Sequence, residues 1–359
     1  MIRAAANSDG GYKPNGNLDS ADVTTTHHTA KHWLLTFCIA VLSCVTLCSL
    51  IELHRRAQGH LATVRDDLDL WALERARVNA AGPNAIAILG TSRILYGLDP
   101  DVLARALPGK VPIMLAVNGS YPLAALSDLA RDKEFTGTAL VDVDARGLSR
   151  YYRDMQQAQV RRFNDGVGPS AAVHRRLLSV WQASLLLGDA DLGVMPTLNR
   201  VVFGAAPPQP RHATVAPNRA GSLDFQYPNI NTAAMAANFT AGVLADYQDH
   251  PPPAAQLWLS ELDQVVNDIR AIYARGGQVL FFCSATSGAH LSADQKGYPR
   301  AQYWDRFARE IAEPNRARAI YALDIPAIAA LRLPDSSHID QRDRAAFSEA
   351  IAQLLSADK

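Results

Sequence analysis

Three short apolar runs, each closed by a turn and followed by helix signals, constrain this chain more than any other feature. "AIAIL" at 85–89 is closed by Gly90; it is too short for a helix and suits a strand buried on both faces. Asp99-Pro100 then supplies an N-cap and a proline at the first helical position, with Val102, Leu103 and Leu107 on one face. Pro112–Val117 is a second run, with a helix after Pro122, and "TALVDV" at 138–143 is a third. Strand, helix, strand, helix, strand at this spacing predicts an α/β fold, a parallel sheet flanked by helices. The alternation then lapses. Residues 151–203 read as helical, 204–232 as a Pro- and Asn-rich loop, and a short helix follows. "HPPP" at 250–253 starts a long helix with Leu262, Val265, Ile269 and Ile272 on one face, ended by Gly276-Gly277. "QVLFFC" at 278–283 is a fourth strand and "RAIYALDI" at 318–325 a fifth. The last helix follows Asp340, with Phe347, Ile351, Leu354 and Leu355 on one face.

Upstream of the first strand, "WLLTFCIAVLSCVTLCSLI" runs from Trp33 to Ile51, nineteen residues without a charge. At about 1.5 Å per residue such a helix is roughly 28 Å long, close to the hydrocarbon thickness of a bilayer. A buried core helix would show a polar face, whereas this one offers only Ser, Thr and Cys, which can bond their own helix backbone in lipid. A cleaved signal peptide fits less well, because a long polar segment precedes the run and no small-residue cleavage motif follows directly. The organisation expected is a disordered tail at 1–32, a transmembrane anchor at 33–52, a juxtamembrane helix at 53–82, and one α/β domain at 83–359 with an insertion at about 151–250. Lys13 and Lys31 precede the span, and Arg55, Arg56 and Arg65 follow it, so the positive-inside rule alone points the C-terminal domain to the cytoplasm. Cys38, Cys44 and Cys48 lie in the span, which leaves Cys283 with no disulfide partner outside it.

Lys plus Arg and Asp plus Glu are equal at 35 each, and no nucleic-acid motif is present, so no nucleic-acid partner is expected. No Cys/His cluster has metal-ligand spacing and no Gly-rich loop matches a nucleotide fingerprint, so neither a metal nor a cofactor is expected. Attention falls on the loops at the carboxyl ends of the strands, where open parallel sheets bind ligands. Ser92, in "GTSR", follows the first strand directly. Alone, it reads most simply as a helix-capping serine. Near the C-terminus "LPDSSHID" places Asp335 and His338 before the last helix, again at that edge. Their spacing lets Asp335 bond one imidazole nitrogen while the other faces a serine. A serine hydroxyl is a poor nucleophile without such a base, and the base needs an orienting acid. Arg93 has two readings, binding a carboxylate or phosphate or pairing with an acid in the sheet. His290 reads as a surface residue. Trp181, Phe225, Tyr227, Phe239 and Trp258 read as core or as the lining of a sugar groove.

"ILGTSRILYGLDPDVL", "LAVNGSYPLAAL" and "PDSSHID" together resemble the SGNH/GDSL hydrolase superfamily. Within it they are most similar to the membrane-anchored bacterial branch that includes proteins of alginate O-acetylation and teichoic-acid D-alanylation. The resemblance covers Ala85 to Val143 and Gln278 to Leu355. It implies a flavodoxin-like three-layer domain with Ser92 as nucleophile, His338 as general base and Asp335 as orienting acid. Gly119, preceded by Asn118, matches an oxyanion donor beside the backbone N–H of Ser92. The family's G-x-N-D block after the third strand is absent. "VDVDARG" puts Asp142 and Asp144 where an oxyanion-binding asparagine is expected, so either Asn118 supplies a donor or the hole is incomplete. The function implied is a single-pass inner-membrane serine esterase or O-acyltransferase with a periplasmic C-terminal domain. It would meet an envelope polysaccharide, an acyl donor and a membrane acyl-transfer partner, and use no cofactor. The alternative is a catalytically degenerate SGNH-like scaffold or carbohydrate-binding component of an envelope polysaccharide assembly.

Overall fold

A computed structural model describes residues 23–204, 206 and 208–356. The chain divides into two compact units, one ending at His54 and the other beginning at Arg55. Among the described residues the first unit is helical, the greater part of a helix that runs Val23–Ala57. Within its stretch Ala30–Ala57 an 18-residue window reaches a mean hydropathy of 2.5, and the stretch is long and apolar enough to cross a membrane. Residues 23–32, expected as tail, are helical, and residues 1–22 lie outside the described residues. The segment expected as one juxtamembrane helix is broken. A turn and then chain without regular structure follow Ala57, and a separate helix, Leu68–Ala81, starts where the Asp67 side chain accepts from the Leu70 N–H.

The second unit is built on five parallel strands: β1 (Ala85–Leu89), β2 (Val111–Met114), β3 (Thr138–Asp142), β6 (Gln278–Cys283) and β7 (Arg318–Tyr321). Their order is β2-β1-β3-β6-β7, with Ile86 opposite Thr138 and Thr138 opposite Gln278. β4 (Ala213–Val215) and β5 (Gly221–Leu223) form a separate antiparallel hairpin. Alternation explains the layers. Ala85, Ala87, Leu89, Val141 and Phe281 face one side, against helices Leu68–Ala81, Leu123–Arg131 and Asp263–Ala274. Ile86, Ile88, Leu140, Leu280 and Phe282 face the other side, in a core shared with Phe347 and Ile351 of helix Arg344–Ser356. Each fully buried side chain of this kind stabilises the fold by about 1.5–3 kcal/mol. The expected three-layer α/β fold is therefore present.

Several local expectations change. The long helix after "HPPP" is two helices, Ala255–Ser260 and Asp263–Ala274, and the fifth strand stops at Tyr321 before a 3₁₀ turn. The 204–232 loop holds the β4–β5 hairpin. Arg219, fully buried in that hairpin, fastens the insertion to the sheet. Its guanidinium donates to both Asp66 oxygens at 2.7 and 2.8 Å and to the carbonyls of Met114 and Ala116 at 2.9 Å. Met114 ends β2, so this anchor lies at the strand end that leads into the Asn118–Gly119 turn. Trp258 is buried core, whereas Trp181 is exposed on helix Pro169–Ser184.

Candidate active site

Ser92 is the first residue of helix Ser92–Gly97, separated from β1 by Gly90 and Thr91. The turn is tight because Gly90 has no side chain: a Cβ there would sit 2.5 Å from the Ile94 side chain and 2.8 Å from Asp142 Cβ. Thr91 occupies the N-cap but makes no capping bond, so its side chain leaves the first N–H groups of the helix uncapped. Gly119 is the third residue of a turn in which Ser120 N–H donates to Val117 C=O, and its φ of +68° favours glycine.

The loop before the last helix brings Asp335 and His338 to the same edge. Asp335 Oδ1 accepts from the backbone N–H of Ser337 at 3.0 Å and of His338 at 2.7 Å, while Oδ2 lies 2.8 Å from His338 Nδ1. His338 Nε2 lies 2.8 Å from Ser92 Oγ. Ser336, between acid and base, takes a left-handed φ of +68°, and its carbonyl accepts from Ser287 N–H after β6. Burial pushes the Asp335 carboxyl up, but the hydrogen bonds and charge of His338 and the two backbone donors more than offset it. The group sits below its ordinary range. Tyr96 meets the imidazole edge-on at 6.3 Å and Phe239 packs against it, tilted, at 5.3 Å.

These residues open onto a cavity of about 250 Å³ lined by Ser92, Gly119, Tyr121, Arg146, Phe239, Gly242, His290 and His338, among others. Ser92, Gly119, Asp335 and His338 are thus brought together. Asn118 is exposed and stands beside this group without lining the cavity.

Arg93 takes the second of its two readings and pairs with an acid. Its Nη2 lies 2.9 Å from Asp144 Oδ2, which also accepts from Tyr121 OH at 3.2 Å, while Gly147 N–H reaches Asp144 Oδ1 at 2.7 Å. Both Asp144 oxygens are engaged. Burial raises this carboxyl, yet Arg93, Arg146 and the Gly147 N–H outweigh it and hold it below its ordinary value. Asp144 therefore meets Arg93 rather than presenting a bare charge. Asp142 accepts from both the N–H and the hydroxyl of Ser284, and burial pushes it up to about 6.

Two residues in the site carried no sequence signal. His290, expected at the surface, is 3% exposed, because helix Thr232–Asp249 packs over it and Phe239 stacks against its ring. Burial and the nearby Arg93 and Arg146 charges push it down to about 4, so it is neutral, and among the described residues neither ring nitrogen has a hydrogen-bond partner. Gln156, wholly buried, donates to Gly90 C=O at 3.2 Å and Ser120 C=O at 2.9 Å. It ties the turn bearing Ser92 to the turn bearing Gly119.

No family model matches the chain, and no curated protein matches it. Among solved structures it resembles one described as "Crystal Structure of TesA", at 10% identity over 76% of this chain and 98% of that one. The TM-score of 0.33 makes the likeness too loose to carry any inference about activity.

Proposed function

We propose that the chain is a membrane-anchored SGNH-type serine esterase or O-acyltransferase that acts on an envelope polysaccharide from the periplasmic side. The observation that carries this reading is the continuous relay Asp335–His338–Ser92, with both links at 2.8 Å. In the first half-reaction His338 Nε2 takes the Ser92 hydroxyl proton as Oγ bonds to the acyl carbonyl carbon. The backbone N–H groups of Ser92 and Gly119 receive the oxyanion, and His338 returns the proton to the departing alkoxide as the ester bond breaks. In the second, water or a sugar hydroxyl gives its proton to His338 and attacks the acyl-enzyme. The bond to Ser92 Oγ breaks and the serine regains its proton. Asp335 holds the imidazole tautomer and stabilises the imidazolium without itself taking the proton. Water yields hydrolysis and a hydroxyl yields transfer. No metal is called on.

A non-catalytic scaffold draws its support from the large insertion and from the missing third block, with a carboxylate in place of the oxyanion asparagine. The Arg93–Asp144 pair weakens the last of these, since the charge is compensated at 2.9 Å. The test is a serine-directed fluorophosphonate probe on the purified chain. Labelling is expected for the native protein and absent in Ser92→Ala, and His338→Ala is expected to slow it by several orders of magnitude. Labelling that survives Ser92→Ala removes the catalytic reading.

A further inference from the structure

Beside the Ser92 cleft lies a second, larger cavity of about 660 Å³, and Asn238 lines both. Its composition is unusual for this chain. With 19% of residues charged, its fourteen lining residues drawn at random would carry about three charges. They include no Asp, Glu, Lys or Arg. In their place stand five side-chain amides, from Gln58, Gln209, Asn229, Asn231 and Asn238. Each amide offers a donor and an acceptor side by side, which matches adjacent hydroxyl groups and gives an anion no countercharge. Asn231 spends its oxygen on the Ala234 N–H as a helix cap and Gln58 accepts from Arg55 Nη1 at 3.1 Å, which leaves each of these two amides its NH₂ as donor. Among the described residues, the side chains of Gln209, Asn229 and Asn238 have no hydrogen-bond partner within the chain.

One wall is aromatic and fixed in place. Tyr227 OH donates to Gly59 C=O, and any residue but glycine at 59 would place a Cβ 2.5 Å from that hydroxyl oxygen. Gly59 also takes a φ of +88°, so backbone and packing both require it. A held aromatic side chain among uncharged donors and acceptors is chemistry suited to a pyranose ring, with apolar ring contact and hydrogen bonds to hydroxyls. The volume lies within the range of small-ligand sites.

We infer that this cavity is the acceptor subsite and that it binds an uncharged glycan, whose hydroxyl reaches the Ser92 cleft past Asn238. The inference rests on the acyltransfer reading for its catalytic meaning, but binding tests it separately. The full chain carrying Ser92→Ala is placed in lipid nanodiscs, which avoids sugar-headed detergents. It is titrated with three neutral hexasaccharides (β-linked gluco-, manno- and galacto-) and with oligogalacturonate of the same length, by saturation-transfer NMR and calorimetry. At least one neutral hexasaccharide is expected to bind, with the oligogalacturonate at least tenfold weaker. Adding Asn229→Gly, which keeps the left-handed φ of +68° at that position, and Asn238→Ala should weaken the neutral ligand at least fivefold with the thermal midpoint unchanged. Absence of binding by all three neutral ligands, equal or tighter binding of the anionic one, or an unweakened double variant each overturns the inference. If the native protein resists the fluorophosphonate while Ser92→Ala binds the neutral glycan, the subsite stands and the catalytic reading falls.

Discussion

Asp335→Asn probes the relay at its least exposed point. The change keeps shape and removes charge, and the structure says which way the new amide turns. At Oδ1 two backbone N–H groups point at the acid, from Ser337 at 3.0 Å and His338 at 2.7 Å, whereas only His338 Nδ1 points at Oδ2. The amide oxygen is therefore drawn to the two backbone donors, and its NH₂ faces Nδ1. That makes Nδ1 an acceptor and puts the proton on Nε2, where it faces Ser92 Oγ and cannot receive a proton. Reversing the amide leaves a donor against two buried donors, at a cost of about 1–3 kcal/mol for each stranded group. Loss of the charge-assisted bond to the imidazolium removes a further 1.5–3 kcal/mol, roughly. Together these raise the acylation barrier by about 3.5–9 kcal/mol, on the order of 10³–10⁶ in rate. The assay is the second-order rate of fluorophosphonate labelling, beside p-nitrophenyl acetate turnover, with thermal midpoints to show the fold intact. A loss under tenfold in a folded variant refutes the assignment of Asp335 as the orienting acid.

Gln156→Leu strands the Gly90 and Ser120 carbonyls and frees two turns from each other, so kcat should fall more than KM rises, with a stability loss of about 1–3 kcal/mol; a loss of stability with kcat untouched would make Gln156 merely structural. Asp144→Asn leaves partly buried Arg93 without its countercharge and should destabilise the domain by about 1–3 kcal/mol without accelerating acylation; faster acylation would mean that the carboxylate faces the oxyanion after all. Asp142 is raised to about 6, so the folded form holds its proton longer than the unfolded form and its contribution declines as pH rises from about 4 to about 6. Asp142→Asn should therefore be more stable than the native chain at pH 8, by up to about 3 kcal/mol, and little different at pH 4, as read from urea midpoints. An alkaline phosphatase fused after Lys359 should be active and a green fluorescent protein dark; the reverse pattern would show that Arg55, Arg56 and Arg65 set the topology and that the domain faces the cytoplasm.

What could be read from residue order and what could not divides along a physical line. β1, β3 and β6 were legible because strands buried on both faces must be apolar throughout and end at small or polar turns, and these do so within a few residues. Ser92 and the Asp335-x-x-His338 pair were legible as candidates because polar side chains directly after such runs stand at the ligand-binding edge of a parallel sheet. The two readings of Arg93 could not be separated, since Asp144, its partner, is 51 positions away and only the β1–β3 pairing brings the turns together. The burial of His290 and the clamp formed by Gln156 arise from long-range packing of the insertion, which leaves no period in the local pattern. The hairpin strands, at three residues each, are shorter than any alternation can reveal. The illegible parts are therefore mostly contacts of the insertion, and these also build the walls around the catalytic cleft: Phe239 and Gly242 from helix Thr232–Asp249, and the amides beyond them. On this arrangement the sheet edge supplies the nucleophile and base, while the insertion selects what reaches them. Substitutions in helix Thr232–Asp249 should then change which acceptor is used far more than whether Ser92 is acylated.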